Sequence, residues 1–308
     1  MAGQAVSGTL DFTLKESKSY KDIHIELYGG SLVRWTERHT DSSGRYDRHH
    51  ATHMHHSYSH NPHTNTYIVT YKSSETYVQQ GMLLWNSRQS PHGKIGPGTY
   101  SLPFQFMLPS TCPGSFQGEH GSIAYVLRGH IKTGLLHNDH KIEVPIQVQR
   151  IIDVNLPHFL VPVQQSKEKH VGLICCGSSI VFTVSLTRTC FCIGQNLPLT
   201  VSVVNGSSRR IKMRAAILRQ CTYHAQGRTK SSMNTTVAVV SPNIAAHSDH
   251  HIWNAENLQV PMVYPSLQES AIIKIQYVLS ITAVIPWATS SQVQIPITLG
   301  NVPFNQYT

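Results

Sequence analysis

The sequence predicts an all-β protein of antiparallel sheets, with enough length for two domains that each bury a core. Short runs in which apolar and polar residues alternate recur along the chain, as half-buried strands require. Proline and glycine, 16 and 20 residues, separate these runs, and β-favouring residues are abundant. No amphipathic stretch reaches four helical turns, so helices are not expected to organise the 308 residues.

The first strands are predicted near the start of the chain. Residues 6–10, continued by Phe12 and Leu14, form one strand, and residues 23–28 are its predicted hairpin partner. Residues 66–71 and 75–79 predict a further hairpin, because two alternating runs are separated by a short polar stretch. A later strand is predicted over residues 141–148.

The stretch from 96 to 130 contains the most regular alternation of apolar and polar residues in the sequence. Tyr100, Leu102, Phe104 and Phe106 fall at every second position, so a strand places them on one face. Pro103 lies inside this run and cannot donate a backbone hydrogen bond, which predicts a sheet edge or a bulge. Residues 122–131 predict a second strand beyond a turn rich in proline and glycine.

A domain boundary is predicted near the middle of the chain. Pro157 and Pro162 interrupt regular pairing, and a polar run follows them. We therefore predict a first domain over 1–157, a linker over 158–165 and a second domain over 166–308. Strands of the second domain are predicted at 180–186 and 199–205.

Positive charge is concentrated in the second half of the chain. The net charge is +9, with 14 basic and 12 acidic residues in 1–157 but 11 basic and 4 acidic residues in 158–308. Seven cations without an intervening acid form what we call the basic strip: Arg209, Arg210, Lys212, Arg214, Arg219, Arg228 and Lys230. Arginines in such a strip bind phosphates or carboxylates, which predicts an acidic partner, and the alternative is an ordinary solvated sheet face.

Residues 39–63 contain eight histidines and no hydrophobic period, which predicts a long exposed loop. Clustered imidazoles can bind metal ions or gain charge as the pH falls. The spacing matches no closed tetrahedral site, so a low-complexity loop without a metal is the favoured interpretation. Among the six cysteines, Cys190 and Cys192 could supply two zinc ligands, but core positions for free thiols are favoured and no cofactor is predicted.

No motif supports catalysis. The sequence contains no Gly-x-Ser-x-Gly elbow, no phosphate-binding P-loop and no dinucleotide fingerprint, so a non-enzymatic protein is predicted. The first twelve residues lack a basic segment followed by an apolar block, and no apolar run has the length of a membrane span. These features predict synthesis in the cytosol.

An ordered set of short blocks carries a family resemblance. The blocks are Pro97-Gly98-Thr99-Tyr100, Leu102-Pro103-Phe104, Leu108-Pro109, Pro113-Gly114-Ser115-Phe116 and Ile123-Ala124-Tyr125. Together they resemble the signature of the arrestin-domain family, most closely the α-arrestins, and the likeness continues from Val6 to Phe304. It implies two antiparallel immunoglobulin-like β-sandwich domains in tandem, an arrestin-like fold.

The resemblance also implies a function. Members are cytosolic, non-enzymatic adaptors in membrane-protein trafficking that bind receptors or transporters and link them to ubiquitin ligases or endosomal sorting proteins. The resemblance also implies a peripheral location at the plasma membrane and endosomes, with acidic phospholipid headgroups as further partners. Alternatives are a retromer-type sorting subunit and a metal-binding protein using the histidine-rich loop. Nucleic acid is not expected, because Tyr223 is the lone aromatic residue within 209–230.

The sequence departs from the family pattern in two places. Family members carry a strand before the Val-x-Gly block, and here Met1 almost reaches Val6, so the first strand is expected to be missing. Members recruit ligases through Pro-Pro-x-Tyr motifs, which these 308 residues lack. The nearest sequence, Pro261-Met262-Val263-Tyr264, is expected to lie in a strand.

Overall fold

The structure is a computed structural model that describes residues 1–41, 55–56, 65–89, 93–133, 139–172 and 177–304. Within these residues the chain forms two compact units. The first holds Met1–Arg150 with Tyr223–Lys230 and Glu269–Ile273, and the second holds the remaining described residues. No helix among the described residues has the length and apolar character needed to cross a bilayer.

The first unit is built from antiparallel strands. They are β1 (Ala5–Leu14), β2 (Lys18–Asp41), β3 (His55–His56), β4 (Asn65–Asn86), β5 (Lys94–Ile95), β6 (Gly98–Met107), β7 (Phe116–Gln117), β8 (Gly121–Thr133) and β9 (His140–Ile146). β1 pairs with β6 in a two-stranded sheet. The larger sheet has the order β3-β4-β2-β8-β7, and β5 and β9 pair with β2 and β8 respectively.

The alternation predicted for β6 is confirmed. Phe104 and Phe106 are buried while the residues between and beside them are exposed. β6 has β1 as its one partner among the described strands, with Thr9 opposite Pro103, so the proline lies at a sheet edge as predicted. At an edge, a strand can turn the side that lacks an N–H donor away from its partner.

Two predicted hairpins are wrong. β1 pairs with β6 and not with residues 23–28, which belong to the long strand β2. Residues 66–71 and 75–79 are parts of one continuous strand, β4, because β2 offers a backbone partner along its whole length and Lys72 lies opposite Arg34. Alternation defines a strand and its faces but not its partner, which long-range packing decides.

The second unit also consists of strands. They are β10 (Val163–Val171), β11 (Ser178–Leu186), β12 (Cys190–Cys192), β13 (Leu199–Asn205), β14 (Lys212–Ala225), β15 (Arg228–Val240), β16 (Ser248–Asn254), β17 (Ile273–Val284) and β18 (Ser291–Gly300). One sheet has the order β10-β11-β13-β16 and the other the order β12-β18-β17-β14-β15. The last three residues of β14, the first three residues of β15 and the first residue of β17 group with the first unit.

The core of the second unit follows the predicted alternation. Phe182 and Val184 on β11 lie opposite Val203 and Val201 on β13, and all four are fully buried. The positions that alternate with them are partly or fully exposed, as Val204 is. The predicted strands of the second half are thereby confirmed at 180–186 and 199–205.

The structure shows where the predicted linker and the proline motif lie. Pro157–Phe159 form a short 3-10 turn, and β10 begins at Val163, so the last three residues of the predicted linker 158–165 pair with β11. Domain limits of 1–157 and 166–308 remain a proposal. Residues 261–264 are not in a strand, because Pro261 and Pro265 flank a segment without ladder bonds.

Cysteine burial agrees with the favoured interpretation of free core thiols. Cys112, Cys190, Cys192 and Cys221 are buried and unbridged, and burial raises the pKa of Cys190 to about 12. Such a thiol resists forming the thiolate that metals and electrophiles require. Cys175 and Cys176 lie outside the described residues.

The histidine-rich stretch 39–63 is not a loop throughout. His39 belongs to β2 opposite Tyr67, and His55–His56 form β3. The other histidines of that stretch lie outside the described residues.

Candidate functional site

One buried asparagine fixes the backbone that leads into the basic strip. Asn205 ends β13 and has no exposed surface. Its side-chain nitrogen donates to the carbonyl oxygens of Arg209 and Ala245, at 2.8 and 2.7 Å. Its side-chain oxygen accepts from the Ser207 hydroxyl at 2.7 Å and from the Ser207 backbone N–H at 3.2 Å. These bonds satisfy a buried amide and hold the loop before β14 in one conformation.

The first two cations of the basic strip differ in exposure and hydrogen bonding. Arg209 is half-buried, and its Nη1 donates to the carbonyl oxygen of Pro286 at 2.6 Å. Arg210 is exposed. Arg209 therefore joins the loop to the turn between β17 and β18, whereas Arg210 presents its guanidinium to solvent.

β14 sorts its first residues by face, as predicted. Ile211 just before it, and Met213 and Ala215 within it, are buried, while Lys212 is exposed and Arg214 half-exposed. Successive side chains of a strand point to opposite faces, so Lys212 and Arg214 share the outer one. We call Arg210, Lys212 and Arg214 the outer cations.

Arg219 serves packing more than the surface. Its guanidinium hydrogen-bonds the hydroxyl of Tyr277, and its Nε is buried without a hydrogen-bond partner. The Tyr277 hydroxyl donates in turn to the carbonyl oxygen of Tyr264. Burial raises the pKa of Tyr277, and the Arg219 charge partly opposes that rise.

The last two cations follow a tight hairpin turn. Gln226 and Gly227 connect β14 to β15 with φ of 50° and 73°, the two positive values of a type I′ turn. Arg228 is exposed beside this turn. Lys230 lies 3.8 Å from Glu37, an ion pair within the first unit. The structure thus assigns Arg228 and Lys230 to the first unit and the other five cations to the second.

An exposed tryptophan next to Arg209 was missed by sequence reasoning. Trp287 is 97 % exposed and has a φ of 57°, in the turn between β17 and β18. A bulky residue rarely adopts this left-handed conformation, and an indole in full contact with water is costly. Arg209 bonds the preceding carbonyl oxygen, and Lys169 Nζ donates to Thr289 Oγ1 at 2.9 Å in the same turn. The turn therefore combines an aromatic tip with two flanking cations.

The arrangement suits an acidic partner or an interface with lipid headgroups. Cations on a sheet face and an amphipathic indole at a turn are the elements that such surfaces attract. Stacking on bases is not available from this segment, because Tyr223 is 1 % exposed. Among the described residues, no three His, Cys, Asp or Glu side chains converge as metal ligands would.

Two family models match the chain. The model described as "Arrestin (or S-antigen), N-terminal domain" matches residues 1–155, and "Arrestin (or S-antigen), C-terminal domain" matches residues 177–304. The matched ranges together take in β1 to β18 apart from β10.

Curated relatives give the same picture. The chain is 33 % identical to "Arrestin domain-containing protein 4" of Homo sapiens over 226 residues, which are 71 % of this chain and 54 % of that protein. It is 32 % identical to the Mus musculus protein of that name, over 69 % of this chain and 51 % of the relative. It is 28 % identical to "Arrestin domain-containing protein 1" of Homo sapiens, over 77 % of this chain and 55 % of the relative. The chain spans about half the length of the curated relatives it matches.

Proposed function

Because this chain belongs to the arrestin family, as an arrestin domain-containing protein, we propose that it is a non-enzymatic cytosolic adaptor in membrane-protein trafficking. In this role it binds receptors or transporters through its strands and loops and brings them to endocytic, ubiquitin-ligase or endosomal sorting proteins. The observation that carries the proposal is the match of both arrestin domain models in order along one chain.

The character of the surface supports an adaptor. The outer cations and the indole of Trp287 are exposed on a strand and a turn, where they can contact the surface of a partner. The Cys190 thiol, whose pKa burial raises to about 12, is not an activated nucleophile.

Capture of partners in cells tests the adaptor role. Crosslinking a tagged chain is expected to recover integral membrane receptors or transporters together with a ligase or sorting protein. Depleting the chain is then expected to retain the captured membrane protein at the cell surface, and re-expression to restore its uptake. Unchanged uptake after depletion contradicts the role, and exclusive recovery of retromer subunits replaces it with the sorting-subunit alternative.

Within this role, we propose that the outer cations and Trp287 bring the second unit to acidic membrane surfaces. Basic residues near an anionic bilayer each contribute about 1 kcal/mol to binding. An exposed indole gains free energy by entering the headgroup region, where its N–H stays hydrated. Both features belong to the second unit.

Vesicle binding measures this contribution. A variant with Arg210, Lys212 and Arg214 replaced by alanine is expected to bind phosphoinositide-containing phosphatidylcholine vesicles about tenfold or more weakly at low salt. Trp287→Ala is expected to weaken binding by an amount that salt changes little, since burying an indole is not a charge effect. Sedimentation of the protein with vesicles gives both values.

A charge-matched variant controls for net charge. Lys15, Lys18 and Lys21 are exposed in the first unit, and their replacement by alanine removes the same three charges. If that variant loses as much binding as the outer-cation variant, the effect belongs to the overall charge and the assignment to this face is wrong.

A further inference from the structure

One side of β15 has no partner among the described strands. β15 ends the five-stranded sheet of the second unit, with β14 on its other side. The ten residues from Ser231 to Val240 contain no charge and no proline, and six of them are exposed, Met233 and Val240 by 51 % and 54 %. Backbone groups along such an edge can pair with another extended chain.

The other long edges of the second unit are protected. β10 carries Lys167, Glu168 and Lys169 in succession, and β16 carries Asp249 next to two histidines. β12 at the far end of the five-stranded sheet has three residues. Charged residues and short strands are the usual means of preventing edge pairing, and the segment from Ser231 to Val240 has neither.

The hairpin geometry identifies which backbone groups face outward. In a hairpin closed by two residues, Ala225 and Arg228 are directly opposite and hydrogen-bonded, and ladder bonds then recur at every second residue. The Ser231 hydroxyl donates to Thr222 Oγ1 at 3.2 Å, which fits this register. The N–H and C=O of Ser231, Met233 and Thr235 therefore point away from β14.

Charge identifies the kind of partner. From Arg209 to Ser248 the sequence contains seven cations and no acid. Met213 donates its N–H to the Ser241 hydroxyl at 2.9 Å, so Lys212 and Arg214 lie beside the end of β15. A second copy pairing here would bring like charges together, whereas an acidic segment would meet opposite ones.

We propose that the open edge of β15 binds an extended acidic peptide segment of a protein partner by strand addition. Main-chain hydrogen bonds to Ser231, Met233 and Thr235 supply affinity, and the neighbouring cations select acidic side chains. The inference rests on the proposed adaptor function for its biological role and names the chemistry of a partner.

A labelled peptide of five Glu-Val repeats, which can extend with its acidic side chains on one face, is the probe. Fluorescence anisotropy with the purified full chain is expected to show binding, and a Lys-Val peptide of the same length is expected not to bind. Hydrogen exchange measured by mass spectrometry is expected to show slower amide exchange within 231–240 when the Glu-Val peptide is present.

Met233→Pro removes one outward N–H without removing a ladder bond, and is expected to weaken the peptide about tenfold. Met233→Ala is the matched control, because it loses the same side chain and keeps the N–H, and it is expected to bind within about twofold of wild type. Equal affinities of the proline and alanine variants overturn the proposal. If the proline variant fails to fold, the exchange experiment on the wild-type chain decides.

Two further results would overturn strand addition. Exchange that slows elsewhere but not within 231–240 places the peptide at another site. Slower exchange within 231–240 that depends on protein concentration alone assigns the edge to a second copy. If the Glu-Val peptide does not bind but the chain still captures membrane partners in cells, the proposal for this edge is rejected and the adaptor role stands. If the peptide binds but no membrane partner is captured, the adaptor role is rejected and the proposal for this edge stands.

Discussion

Asn205→Ala is expected to lower the free energy of unfolding of the second unit by about 3 kcal/mol, since each buried polar group left without a partner costs about 1–3 kcal/mol. Asn205 is fully buried, and its removal strips partners from the carbonyl oxygens of Arg209 and Ala245 and from both donors of Ser207. Chemical denaturation followed by fluorescence measures the change.

Two control variants test whether the effect of Asn205→Ala comes from its buried hydrogen bonds. Ser207→Ala removes one hydroxyl donor and keeps the asparagine, so a loss of about 1 kcal/mol is expected. Asn257→Ala makes the same change as Asn205→Ala at an exposed position, and a change below about 0.5 kcal/mol is expected. Similar denaturation midpoints for the two asparagine variants would show that the buried network does not stabilise the unit.

Much of the fold was predictable because alternation is a local signal. The buried positions of β11 and β13, and the opposite faces of Lys212 and Met213, follow from residue order alone. Pairing was not predictable in the same way. A polar stretch at 72–74 is typical of a turn, yet it continues as strand because β2 runs beside it, a fact that no local window contains.

In the candidate site, too, the local features were predictable from the sequence and the long-range contacts were not. Sequence spacing identified the cations, but which of them reach solvent depends on distant contacts: Arg209 bonds Pro286, and Arg219 bonds Tyr277. Trp287 was missed because a lone tryptophan near strands is normally a core residue. Its only local signal is the preceding proline, which is common in turns.

The second large effect on stability is expected from a substitution of Gly29 in the first unit. Gly29 lies opposite Tyr125 on β8 and Val78 on β4. A Cβ atom at Gly29 would lie 2.2 Å from Tyr125 Cδ1 and 2.8 Å from Val78 Cγ1. Tyr125 cannot move aside easily, because it is 1 % exposed and its hydroxyl donates to the carbonyl oxygen of Pro113 at 2.7 Å. The glycine is therefore required by the ring that covers it.

Gly29→Ala is expected to destabilise the first unit by about 3 kcal/mol, the upper range for overpacking a core. Gly81→Ala is the matched control, because no atom lies within 4 Å of its added Cβ. At such an open strand position alanine restricts the unfolded chain, so stability is expected to stay equal or rise by about 0.5 kcal/mol. Denaturation midpoints of the two variants give the comparison.

A double-mutant cycle with Tyr125→Ala tests whether the ring causes the effect. Alanine lacks both Tyr125 ring atoms nearest to the added Cβ, so Gly29→Ala is expected to cost about 2 kcal/mol less in that background, since residues in contact are not additive. Independent, additive effects of the two substitutions would mean that Val78 or the backbone of β2, and not the face of Tyr125, requires glycine at this position.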